Sequence, residues 1–213
     1  MQDYQRDLID FALARDVLRF GDFQLKSGRQ SPYFFNTGHF NTGEALARLG
    51  SAYARRAVEA APAFDMLFGP AYKGIPLVAA MASALAVEHE RDCPWAFNRK
   101  EEKDHGEGGT VVGAPLSGRV LVVDDVISAG TSVAESVYLI EAAGAKLAGV
   151  LVALDRQERG QTAQSATGEV AARYGVPVTA ILTLDTLMSY LADRPGREEQ
   201  LAAMVRYREE FGV

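Results

Sequence analysis

An α/β fold, with a central and mostly parallel sheet flanked by helices, is what this 213-residue sequence predicts. Three observations carry that prediction. From about residue 66 to 183, short aliphatic runs alternate with helical patterns, as in βαβ units. Within them, Arg119–Val123 is aliphatic without a break after the arginine, the mark of a strand covered on both faces. The stretches after two of the strands, 69–74 and 124–132, are rich in small and polar residues, and in such sheets ligands sit beyond the carboxyl ends of the strands.

Taken in order, Leu8, Ile9, Ala12, Leu13 and Val17 give residues 3–19 a helical spacing. Two β-like runs follow, around Asp22–Leu25 and Pro32–Asn36. In N-T-G-E, Asn41 is placed to cap a helix, with Glu44 three residues on. Leu46, Leu49, Tyr53 and Ala57 give that helix one apolar face. Met66–Phe68 reads as a strand and the Ala-rich 75–89 as a largely buried helix. Trp95–Asn98 reads as a strand, and 99–109 as a charged, Gly-rich loop. After Arg119–Val123, a helix spans Thr131–Ala143 and ends at Gly144. Lys146–Leu154 is a strand, 163–174 a helix, 176–183 a strand, and two short helices close the chain. The alternation defines a core of about 42–183. The segments 1–40 and 184–213 break it and are expected to form a small hood on the same single domain.

Composition removes several function classes. About half the residues are apolar and a quarter charged, enough to bury a sizeable core. The net charge of −6 gives no general attraction to nucleic acid or an anionic membrane. Any bound anion must therefore be held by local cations and backbone N–H groups. Cys93 is the single cysteine, and His39, His89 and His105 lie far apart, so no Cys/His metal cluster is expected. His39 and His89 fall outside every motif. The first residues are polar and acidic, unlike a signal peptide, and the apolar run 78–87 is about half a membrane span. A cytoplasmic, reducing setting fits.

Function enters at V-L-V-V-D-D-V-I-S-A-G-T-S, residues 120–132. Small residues let backbone N–H groups approach a phosphate, and the following helix N-terminus adds partial positive charge. The hydroxyls of Ser128, Thr131 and Ser132 add donors. Carboxylates repel phosphate, so Asp124 and Asp125 need a different role, accepting hydrogen bonds from vicinal hydroxyls or facing metal-held water. A ribose 5-phosphate meets both demands. Solvated acids before an N-cap would explain a lone D-D, but not the whole run.

That run resembles the phosphoribosyl-pyrophosphate (PRPP) motif of type I phosphoribosyltransferases. The segments at 23–36, 68–77, 97–109 and 154–160 narrow the resemblance to the orotate phosphoribosyltransferases, in that family's order and nearly end to end. The resemblance implies PRPP and orotate as substrates, Mg2+ as cofactor and a homodimer with shared active sites. It implies catalytic roles for Lys73, Arg99, Lys100, Lys103, His105, Asp124 and Asp125. PRPP would be held by these with Lys26, Tyr72, Val126, Ile127, Ser128, Ala129, Gly130, Thr131 and Ser132. Orotate would be held by Lys26, Phe34, Phe35, Ser128 and Arg156, whose guanidinium fork suits the base's carboxylate. Mg2+ would be held mainly by PRPP and water near Asp124 and Asp125, with no side chain assigned as its ligand. The charged, Gly-rich 99–109 segment would close as a lid and serve the neighbouring subunit. Arg159 is expected to be solvated. Ser128 departs from the threonine more usual there but keeps the hydroxyl. The alternatives are a purine phosphoribosyltransferase, which would not need Arg156 or Phe34–Phe35, and a non-catalytic PRPP-binding regulator, which would need a DNA-binding element.

Overall fold

The computed structural model describes residues 1–25, 27–103, 109–128 and 130–213, with the backbone alone at 102 and 103. α1 (Asp3–Ala14) leads into β1 (Leu18–Gln24) and β2 (Gln30–Phe35), an antiparallel pair forming its own two-stranded sheet. The remaining elements are α2 (Gly43–Ala60), β3 (Met66–Gly69), α3 (Gly74–His89), β4 (Trp95–Lys103), β5 (Gly109–Gly113), β6 (Arg119–Asp124) and α4 (Thr131–Ala142). β7 (Lys146–Asp155), α5 (Ala166–Tyr174), β8 (Val178–Thr183), α6 (Leu184–Ala192) and α7 (Glu198–Phe211) complete the chain. The main sheet has the order β5-β4-β3-β6-β7-β8, and only the β4–β5 pair is antiparallel.

The aliphatic β6 shows why the sheet carries helices on both faces. Side chains alternate across a strand. Leu121 and Val123 join a core built with α1, α2, α3, α6 and α7. Val120 and Val122 join a second core built with α4 and α5. All four are fully buried. The terminal segments share the first core: Leu8, Tyr33 and Tyr207 belong to the same cluster as Leu67 and Leu151.

Several boundaries differ from expectation, each for a local reason. α1 stops at Ala14 because Asp16 takes a left-handed conformation, φ 57°, and turns the chain. Val17 is buried, as its spacing suggests, but by way of this turn, with its N–H on the Ala12 carbonyl at 2.9 Å. α2 is capped by Thr42, not Asn41: the Thr42 hydroxyl accepts from the Ala45 N–H at 3.3 Å, and Glu44 pairs instead with Arg48 at 2.9 Å. The 99–103 stretch is strand, not loop, because β5 supplies a hydrogen-bonding partner at the sheet edge, where charged side chains are well tolerated. α3 buries Leu77, Val78, Met81 and Leu85 but exposes Val87, so it is covered on one side only.

Candidate active site

The sheet order positions the site. From β3 the chain steps outward to β4 and β5; from β6 it steps the other way, to β7 and β8. β3 and β6 are therefore the strands at which the order reverses, and a ligand crevice is expected beyond their carboxyl ends. The two loops leaving these strands, 70–73 and 125–130, meet there: Lys73 Nζ lies 2.5 Å from Asp125 Oδ2.

The first loop is tight. A Cβ on Gly69 would run into the Gly74 carbonyl, so only glycine lets α3 begin this close to β3. Ala71 N–H donates to Asn98 Oδ1 at 2.8 Å, the Ala71–Tyr72 peptide is cis, and the Tyr72 side chain is exposed.

The second loop carries the paired acids in different environments. Asp124, the last residue of β6, is buried. Its Oδ2 accepts from the Ser132 hydroxyl at 2.7 Å and its Oδ1 from the Asp125 N–H at 2.9 Å. Burial raises its pKa above the usual carboxylate value; the Ser132 hydrogen bond opposes this, and the Asp125 charge adds to it. The buried Tyr53 hydroxyl donates to the Asp124 carbonyl at 2.7 Å and braces the strand end from α2. Asp125 is more open: its Oδ2 also accepts from Thr37 Oγ1 at 3.1 Å, and its Oδ1 from the Val126 N–H at 2.8 Å. Gly130 caps α4 in the left-handed region, next to Thr131 and Ser132. Beyond β6 there is thus a helix N-terminus for an anion, with carboxylates on one side that suit hydroxyls.

A cleft of about 480 Å3 is lined by Lys73, Asp125, Val126, Ile127 and Ser128 together with Phe34, Phe35 and Arg156. The Arg156 side chain is only 16% exposed. Its Nε donates to Glu158 Oε1 at 2.6 Å, its Nη2 to Ser31 Oγ at 2.9 Å, and its guanidinium lies 4.1 Å over the Tyr33 ring. Burial opposes its charge, but Tyr33, Glu158 and Tyr207 outweigh it and raise its pKa, so the arginine stays cationic. A groove of about 420 Å3 between α1 and α2 is nearly as large, but Tyr4, Phe11, Arg48 and Arg55 line it and none of the motif residues does. Chemistry, not volume, distinguishes the two.

The structure thus gathers Phe34, Phe35, Lys73, Asp125, Val126, Ile127, Ser128 and Arg156 in one cleft, with Tyr72 and Gly130 on the same two loops and Asp124, Thr131 and Ser132 at the ends of β6 and α4 that flank the second. Lys26, His105 and Ala129 lie outside the described residues, as does the Lys103 side chain. Arg99 and Lys100 are not brought to the cleft. They lie on β4 and line a separate hollow with Tyr138, where Lys100 Nζ pairs with Glu135 of α4 at 2.8 Å. Arg159 is exposed, as expected, and also tied to the C-terminal segment: its N–H donates to the Phe211 carbonyl at 2.8 Å and its guanidinium to the Glu210 carbonyl. The neighbours Thr37, Ser31, Glu158 and Tyr53 were not anticipated. Ser31 and Glu158 stand inside the segments 23–36 and 154–160, and a buried arginine's need for acceptors was the available signal. For Mg2+, the donor set is two adjacent carboxylates. Among the described residues no group of three or more acidic, His or Cys side chains stands ready to hold a metal. That set fits a cation held chiefly by a substrate's phosphates and by water.

Comparison with known proteins agrees with this geometry. The phosphoribosyl transferase domain matches residues 37–166. Orotate phosphoribosyltransferases of Pseudomonas aeruginosa and Thioalkalivibrio sulfidiphilus are 58% and 60% identical over 213 residues, covering all of this chain and all of theirs. The crystal structure of orotate phosphoribosyltransferase from Francisella tularensis superposes with a TM-score of 0.89 at 42% identity, covering 97% of this chain and 100% of that one. The two switch-point loops, the largely buried arginine beyond β7 and this full-length likeness converge: the chain belongs to the orotate phosphoribosyltransferase family of phosphoribosyl transferases.

Proposed function

We propose that this protein transfers the 5-phosphoribosyl group from PRPP to orotate, giving orotidine 5′-monophosphate and pyrophosphate, the step that leads to UMP in pyrimidine biosynthesis. One observation carries the reading: a single cleft is lined by Lys73, Asp125 and Ser128 and by a largely buried guanidinium, with Asp124 and the α4 N-terminus at the two ends of the 125–130 loop that lines it. These match a phosphate, a ribose diol and a carboxylate-bearing base. Arg156 is the group in it that favours orotate over a purine base.

Bond cleavage at ribose C1 builds positive charge on the sugar and negative charge on the departing pyrophosphate. No side chain needs to form a covalent bond, so catalysis rests on positioning and electrostatics. The α4 N-terminus and the hydroxyls of Ser128, Thr131 and Ser132 hold the 5-phosphate. Asp124 and Asp125 accept from the ribose hydroxyls and lie near the growing cation. Lys73, at the loop tip, is placed for the leaving group. Asp124 and Asp125 are the carboxylates that would face the water shell of a Mg2+ ion, which would supply charge neutralisation for the leaving group. Phe34, Phe35 and Arg156 frame and orient the base, and Lys26 serves both base and pyrophosphate. Arg99, Lys100, Lys103 and His105 act as a lid that excludes water from the cation, delivered to the cleft of a second copy in a homodimer. The segments 1–40 and 184–213 form the hood over the base pocket. The enzyme works in the cytoplasm, with no nucleic-acid or membrane partner; among the described residues no helix is long and apolar enough to cross a membrane.

Ultraviolet loss of orotate is the test. Absorbance should fall only when protein, PRPP and Mg2+ are all present. No loss under these conditions, or equal turnover of a purine base, would refute the reading.

A further inference from the structure

We propose that Glu158 is a positioning residue for Arg156, turning its guanidinium so that the end-on fork is presented to the base. The inference rests on the reading that Arg156 takes the carboxylate of orotate. A guanidinium has two usable donor edges: Nε with Nη2 along its side, and Nη1 with Nη2 at its end. Here the side edge is occupied, Nε by Glu158 Oε1 at 2.6 Å and Nη2 by Ser31 Oγ at 2.9 Å. The Tyr33 ring lies against one face at 4.1 Å. The Tyr33 and Tyr207 hydroxyls are buried without a well-formed hydrogen bond, and Tyr207 lies close enough to raise the Arg156 pKa. Arg156 itself lines the cleft.

A carboxylate beside an anion-binding arginine needs a reason, because it repels the anion the site is meant to hold. Glu158 has one if it locks the side edge while leaving the end edge open. Its own position is fixed. Arg29 Nη1 approaches its Oε2 at 3.4 Å, and a β-bridge joins Glu158 to Gly212. On either side, the Arg159 N–H donates to the Phe211 carbonyl at 2.8 Å and the Val213 N–H to the Gln157 carbonyl at 3.2 Å. With side-chain exposures of 11% for Glu158 and 16% for Arg156, the pair is little screened by water.

The experiment compares Glu158→Ala, Glu158→Gln, Arg156→Ala and the double variant Glu158→Ala/Arg156→Ala. It reads kcat, KM for orotate, KM for PRPP, and competitive inhibition by uracil, which is orotate without its carboxylate. Losing one charge-assisted hydrogen bond to the arginine should raise the orotate KM about tenfold in Glu158→Ala. Its kcat, KM for PRPP and uracil inhibition should hold. Glu158→Gln keeps an acceptor for Nε and should recover most of the loss. With Arg156 already removed, deleting Glu158 should add nothing. If Glu158→Ala weakens orotate, uracil and PRPP alike, or leaves the orotate KM unchanged while Arg156→Ala raises it, the positioning role is refuted and the base pocket stands. If Arg156→Ala leaves the orotate KM unchanged, the base-pocket reading itself falls and takes this inference with it.

Discussion

Asp124 is where a single residue sets stability against function. Its carboxyl is buried at the end of β6 and its pKa is raised, chiefly by desolvation. At neutral pH the folded protein therefore carries a charge that costs it stability. The unfolded carboxyl titrates near about 4, so wild-type stability falls as pH rises from there through the higher folded-state value. Asparagine removes that charge and keeps the shape. Its amide oxygen accepts from the Asp125 N–H, and the Ser132 hydroxyl reverses to accept from the amide nitrogen. Asp124→Asn should thus melt higher than wild type at pH 7, and the advantage should vanish below about pH 4. Activity should move the opposite way, falling on the order of a hundredfold as a charge beside the sugar cation is lost. Melting curves across pH with steady-state rates check both; a lower Tm at neutral pH would mean that hydrogen bonding, not desolvation, dominates at this side chain. The acid pair could be read from sequence because it interrupts an aliphatic run. Thr37 and Tyr53 could not: they reach the site from other elements, Thr37 from 88 residues away from Asp125, and no local spacing reports that.

At the level of elements, close packing of α2 on α3 shows which helical details the pattern hides. Gly50 lies on α2, where a Cβ would come 2.7 Å from the Ala80 carbonyl carbon and oxygen and 2.9 Å from the Ala80 Cβ. Two effects compete in Gly50→Ala. Alanine gains roughly 0.5–1 kcal/mol of helix propensity. Pushing a methyl into backbone costs about 1–3 kcal/mol, because no side chain is free to swing aside. Overpacking wins, and thermal unfolding should show a Tm lower by a few degrees. An unchanged or higher Tm would mean that the helices separate at little cost. The same contrast explains which elements were legible. β6, β7 and β8 are buried on both faces and read as aliphatic runs, so they were placed within two residues. β5 and the outer half of β4 form the sheet edge, where Arg99, Lys100 and Glu101 carry no apolar signal, so hydrogen bonding alone makes them strand. The α2 cap slipped by one position because Asn41 and Thr42 are adjacent and both suit a cap; only φ and ψ, −125° and 159° at Thr42, decide between them.

Across the whole molecule, the described cations assigned to the substrates, Lys73, Arg99, Lys100 and Arg156, fall into two groups that a single chain keeps apart. Lys73 and Arg156 line the cleft, whereas Arg99 and Lys100 stand on β4 beside α4, with Lys100 turned to Glu135. β4 flanks β3 on the side away from β6, so its charged end lies in the half of the sheet opposite β7 and Arg156. Cations aimed at another copy's pyrophosphate would be carried in this way. A homodimer that shares its sites makes a quantitative prediction. Asp125→Asn disables the cleft and Lys103→Ala the lid, and each variant alone should turn over poorly. Co-expressed with different tags, half of random dimers are mixed, and each mixed dimer pairs an intact cleft with an intact lid at one of its two sites. Activity should then return to about a quarter of wild type, and to about half in purified mixed dimers. If lid and cleft instead act within one chain, every site in the mixed dimer keeps one defect, and activity stays at the level of the single variants. Turnover of the doubly tagged fraction separates the two, because only exchange between subunits can build a complete site from chains that each lack one part.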